Sequence, residues 1–120
     1  MAKLQRETLD AIRELAGDTP DLLEQIVRLY LESAPSLIAQ MHAGFAASDM
    51  IAIRNAAHSL KSSSANVGAM DLSKMCSKLE AAARAGAIGE DVPEASAIEA
   101  EYTEVRSALL AEIGMSSLER

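Results

Sequence analysis

Apolar residues recur along almost the whole chain at spacings of three and four, the period of an α-helix, and no stretch alternates long enough to make a strand. Leu4, Leu9, Ile12 and Leu15 suggest a short first helix ended by Gly17. A second helix carries Leu23, Ile26, Val27, Tyr30, Leu37, Ile38, Met41 and Phe45, with Thr19 as its N-cap and Pro20 in its first turn. Pro35 falls inside it, which predicts a kink or a break into two pieces. Ser48 or Asp49 starts a third helix that runs to about Val67, where Gly68 allows the turn. A fourth begins near Asp71, with Leu72, Met75, Cys76 and Leu79 inward, and ends at Ala85-Gly86-Ala87-Ile88-Gly89. A last helix follows Pro93, with Ala95, Ile98, Tyr102, Val105 and Leu109 along one seam. The expected fold is all-α: an antiparallel four-helix bundle with a short additional N-terminal helix as a lid. The whole of residues 1–120 reads as one domain, with the bundle core at about 20–113.

Composition enters where it limits the alternatives. Phe45, Tyr30 and Tyr102 are the only aromatic residues, so the core must be built from Leu, Ile, Val, Met and Ala, which suits close helix packing. The formal net charge of −7 argues against nucleic acid as a partner. No apolar run approaches the ~20 residues that span a bilayer, and the charged N-terminal stretch lacks a signal-peptide core. One cysteine, Cys76, leaves no internal disulfide, and the cytoplasm is the natural compartment. Monomer is the default state.

The third helix carries the chemistry. Each helical residue turns about 100° around the axis. With His58 at zero, Ile51, Arg54, Asn55, Lys61, Ser62 and Ala65 fall within roughly 60° of it. Ile53, Ala56, Ala57, Leu60, Ser64 and Val67 fall opposite, on the side a bundle would bury. His58 is therefore expected to point outward beside a lysine one turn later, with small neighbours that leave a partner room to approach. An exposed imidazole is in good part neutral and nucleophilic at neutral pH, and can take a phosphoryl group whose charge a nearby lysine offsets. Spacing alone does not decide this, since a lone helical histidine beside a lysine is more often a solvated surface residue.

The wording of the segment is more specific. Ala57-His58-Ser59-Leu60-Lys61-Ser62-Ser63-Ser64-Ala65-Asn66-Val67-Gly68-Ala69, followed by Leu72, Cys76 and Leu79-Glu80, resembles the signature of histidine phosphotransfer domains. Leu29-Tyr30-Leu31-Glu32-Ser33-Ala34-Pro35 and Asp49 are similar to the family's stretch before the histidine helix, so the resemblance spans about Pro20 to Leu110. It implies a multistep two-component phosphorelay, with His58 as phosphoacceptor, Lys61 as charge partner of the phosphate, and Gly68 as the hairpin turn. It also implies receiver-domain partners whose aspartates donate and accept the phosphoryl group. The chain would be a carrier and not an enzyme: it has no glycine-rich phosphate loop for ATP, no cofactor and no metal site, and Mg²⁺ belongs to the receiver. The parent would be a kinase if this is the C-terminal piece of a hybrid sensor kinase, and a free-standing relay protein otherwise. The family usually has glycine where this chain has Ser62, whose hydroxyl could donate to phosphoryl oxygens.

The remaining candidates read as structural. His42 is expected on the surface, Cys76 as a small buried hydrophobe, and Met41 and Met75 as core filler. Glu94, Glu99, Glu101 and Glu104 form a solvated face. Residues 49–78 carry Arg54, Lys61, Lys74 and Lys78 against Asp49 and Asp71, a locally basic surface on an acidic chain that favours an acidic partner. Ile51 is the candidate apolar anchor for docking, beside Arg54, Asn55, Ser62 and Ala65. A bundle of the same fold that regulates a partner by docking alone is the alternative, and a purely structural bundle is a third.

Overall fold

A computed structural model describes residues 2–18 and 21–114 and places five helices in them: α1 (Arg6–Ala16), α2 (Leu22–Ala46), α3 (Met50–Asn66), α4 (Met70–Ala85) and α5 (Ala95–Glu112). Among the described residues there is no strand. α2 packs against α3 and α5, and α4 against the same two, so α2 to α5 close a four-helix ring. The connections between α2, α3 and α4 are three residues each, which forces neighbours to run antiparallel.

Local chemistry sets the helix ends. Asp49, and not Ser48, caps α3: its carboxylate accepts the Ala52 N–H at 3.1 Å. Gly86 closes α4 in the left-handed region at φ 69°. Thr19 and Pro20, expected at the start of α2, lie outside the described residues, and Asp21 stands at the N-cap position. Of the kink or break expected at Pro35, the break does not occur. α2 runs 25 residues without interruption, and Pro35 stands exposed within it. Burial of Tyr30, Ala34, Ile38 and Met41 on either side holds the helix together through the residue that lacks an N–H.

The core lies where the period places it. Leu23, Val27, Tyr30, Ile38 and Met41 of α2 are buried, as are Ile53, Ala56, Ala57, Leu60 and Ser64 of α3. They meet Leu72, Cys76 and Leu79 of α4 and Ala95, Ile98, Tyr102, Val105 and Leu109 of α5. Two polar atoms enter this core as a pair, the hydroxyls of Tyr30 and Ser64 hydrogen-bonded at 2.8 Å. Gly44 lets α2 and α3 approach, since a Cβ there would lie 2.8 Å from Ile53 Cγ1.

α1 lies across one end of the bundle. Its Leu9 is buried, but Leu15 is 82% exposed and does not belong to the inward stripe. α1 is too short to carry that stripe across the bundle end. Two anchors hold it there. Gln5 N–H donates to the carbonyl of Gly68, which turns the α3–α4 hairpin at φ 82°. Arg6 and Arg13 both reach the Glu112 carboxylate at the end of α5, at 2.5 and 2.9 Å.

Candidate functional site

His58 sits at mid-length on α3 and projects outward, its side chain 60% exposed. The opposite stripe that puts it there (Ile53, Ala56, Ala57, Leu60, Ser64 and Val67) is buried without exception. Ile51, Asn55 and Ser62 are exposed on the His58 face, while Arg54, Lys61 and Ala65 are half-buried at its edges. Among the described residues, Ile51 is one of three large apolar side chains standing in solvent, with Leu15 and Leu29.

The ring is not free. Its Nδ1 lies 2.8 Å from Oε2 of Glu80, a carboxylate on α4 that is only 7% exposed. Lys61 Nζ donates to the other oxygen, Oε1, at 2.6 Å, and Arg84, one turn further along α4, donates to Oε2 at 2.8 Å. The antiparallel α3–α4 pairing creates this meeting, reinforced by Ser73 Oγ donating to the Lys61 carbonyl at 2.9 Å. The hydrogen bond from the Lys61 ammonium holds the Glu80 carboxyl below its usual range, although burial alone would raise it. Glu80 is thus an anion kept in a largely dry place by its partners.

Chemically, a carboxylate on Nδ1 fixes the tautomer. Glu80 can only accept while it is ionised, so in the neutral ring Nδ1 carries the proton and Nε2 has the lone pair. Nε2 is the ring nitrogen not engaged by Glu80, on a side chain that is mostly exposed. The arrangement presents one nucleophilic nitrogen on a ring held through Nδ1, with an ammonium and a guanidinium on the same carboxylate. Among the described residues there is no cluster of three or more His, Cys, Asp or Glu side chains that could hold a metal ion.

The sequence pointed to His58 and Lys61, which the structure brings together on Glu80, but not to Glu80 or Arg84 as their partners. Glu80 was visible only as part of the Leu79-Glu80 wording, and Arg84 only as a partner four residues on. Neither could be placed at His58 until the register of the hairpin was known. The other candidates stand as structural groups. His42 is exposed, and its Nε2 meets Glu99 of α5 at 2.9 Å. Cys76 is buried, which pushes its thiol up to about 12 and leaves it unreactive. Met41 is buried and Met75 packs against the core.

A four-helix bundle with an outward imidazole at the middle of one helix points to the class of phosphoryl-carrying helical domains. Residues 25–108 match the family model described as Hpt domain, and the chain belongs to that family. It is a histidine phosphotransfer domain, a phosphorelay module of the kind that interacts with receiver domains of two-component systems. The fold is similar to the crystal structure of histidine-containing phosphotransfer protein B from Pseudomonas aeruginosa PAO1. The TM-score is 0.76 at 28% identity, over 91% of this chain and 92% of that one. No curated protein sequence matches the chain significantly. No helix among the described residues is long and apolar enough to cross a membrane.

Proposed function

We propose that Nε2 of His58 is the atom that takes and gives the phosphoryl group, in exchange with the aspartates of receiver domains. The observation that carries the reading is the 2.8 Å contact between Nδ1 and the buried Glu80 carboxylate. On the forward step the Nε2 lone pair attacks the phosphorus of a receiver's aspartyl phosphate. The phosphorus–nitrogen bond forms, the phosphorus–oxygen bond breaks, and the aspartate leaves as carboxylate. The proton on Nδ1 stays where it is, and Glu80 stabilises the positive charge that develops on the ring. Because no proton has to move, the same geometry serves the reverse step. Lys61 supplies positive charge to the phosphoryl oxygens.

The chain contributes binding, orientation and charge, and the receiver contributes its acidic pocket and the Mg²⁺ that stabilises the transferring group. The domain works as a carrier without an ATP site, as a monomer, in the cytoplasm, either free-standing or as a piece of a hybrid sensor kinase. Ile51, Arg54, Asn55, Ser62 and Ala65 frame His58 and form the surface on which the receiver docks, with Ile51 as its apolar anchor. A docking-only role fits less well, because pure docking gives no reason for a buried carboxylate to hold one tautomer of an exposed ring.

The test is transfer from a phosphorylated receiver in the presence of Mg²⁺. Acid-labile, base-stable phosphate should appear on the native chain and be absent from His58→Gln. Labelling of the variant, or of neither protein by several receivers while both stay folded, would contradict the reading.

A further inference from the structure

The Glu80 cluster holds one more cation than the resting site needs. Before phosphorylation, one negative charge faces both Lys61 and Arg84. The partners divide the carboxylate unevenly: Lys61 takes Oε1, while His58 Nδ1 and Arg84 share Oε2. A phosphoryl group on Nε2 lies across the ring from this carboxylate, so Lys61 must leave Oε1 to serve it. If Lys61 were the sole cation on Glu80, its departure would strand a buried carboxylate with only a ring N–H for company, which is strongly unfavourable.

We infer that Arg84 is a positioning residue that makes this exchange possible: it stays on Glu80, so Lys61 can move to the phosphoryl group. The inference rests on the reading of His58 given above. Arg84 is suited to the part. It reaches Glu80 from one helical turn away on the same helix, and its planar fork holds a carboxylate oxygen with little reorganisation. Lys61 is suited to the complementary part, a flexible stem ending in a point charge, 31% exposed. The phosphoryl group brings a charge of roughly −1.5 to −2, which the surplus cation partly meets. The resting site therefore has Lys61 and Arg84 on Glu80, and the phosphorylated site has Arg84 on Glu80 and Lys61 on phosphate.

A double-mutant cycle on the full chain tests this, read as the equilibrium ratio of phosphohistidine to phosphorylated receiver. Arg84→Gln should lower the ratio about tenfold, because Lys61 is then held on Glu80. Glu80→Gln removes both the charge that holds Lys61 and the charge that steadies the ring, while leaving an amide oxygen to accept from Nδ1, so its own ratio is the reference for the second background of the cycle. Adding Arg84→Gln to Glu80→Gln should then change the ratio by less than about twofold. Arg84→Lys should restore most of the native value. Arg84 is 64% exposed, so its replacement leaves the core intact, and Arg84→Met offers a second variant that keeps the packing of the stem. No effect of Arg84→Gln in the native background would overturn the inference. Equal losses in both backgrounds would overturn it too, by placing Arg84 directly on the phosphoryl group or the receiver. If the native chain takes label on His58 and the cycle is additive, only this inference fails. If His58 takes none, the underlying reading fails first.

Discussion

At the scale of single residues, the motif between Ala57 and Ala69 mixes two jobs that the sequence does not separate. His58 and Lys61 meet on Glu80 at the surface, whereas Ser64 serves the core, where its hydroxyl partners that of Tyr30. Burial pushes the Tyr30 phenol well above its usual range, as expected for a group with no access to water. Ser64→Ala should therefore destabilise the fold by about 1–3 kcal/mol, by leaving the Tyr30 hydroxyl buried and unpaired. Adding Tyr30→Phe should recover much of that loss, and urea unfolding of the two variants measures both. A neutral Ser64→Ala would mean that another group or a water satisfies Tyr30. Helical period alone placed His58 outward and Ser64 inward, so this much was legible. Glu80 was not legible as a site member, because an acid on a helix is ordinarily solvated and only tertiary contact makes this one buried.

At the scale of elements, helices were easy to read and their joints were not. The seams of α2, α4 and α5 follow from apolar spacing, and Asp49 and Gly86 act as the cap and stop their residue types suggest. Pro35 misled in part, since a break was one of the outcomes its missing N–H allowed and the packing of α2 overrides it. Leu15 misled because a one-dimensional pattern does not show how far a short helix overlaps the bundle. Gly44 marks the joint that counts for the site, since it sets how closely α3 seats on α2. Gly44→Ala would place a Cβ 2.8 Å from Ile53 Cγ1 and 3.2 Å from the Ile53 backbone nitrogen. Overpacking of this kind costs about 1–3 kcal/mol, against roughly 1 kcal/mol that alanine gains over glycine in a helix. The net effect should be destabilising, seen as a lower urea midpoint with an unchanged slope. A midpoint at or above the native value would show that the helices separate at no cost.

At the scale of the whole molecule, the N-terminal helix is tied to the C-terminal end of the bundle by charge. The Arg6 hydrogen bond, aided by Arg13, holds the Glu112 carboxyl at about 2, below the ordinary 4.5. A carboxylate whose folded pKa is depressed adds stability that is present above the unfolded value and lost as pH falls through the folded one. The clasp should therefore act fully above about pH 4.5 and fade toward pH 2. Melting temperatures of native protein and Glu112→Gln should differ at pH 6 and converge toward pH 2, and parallel curves would show that the clasp contributes nothing. At the opposite extreme of range lies the relay itself, in which the bundle is a frame that holds one ring nitrogen outward and its neighbour against Glu80. The mechanism turns on which nitrogen carries the phosphoryl group. The direct measurement is phosphorus–nitrogen coupling by NMR on ¹⁵N-labelled protein phosphorylated by a receiver. Phosphorus should be bonded to Nε2 of His58, with Nδ1 still protonated toward Glu80. Phosphorus on Nδ1, on His42 or on any other side chain would contradict it.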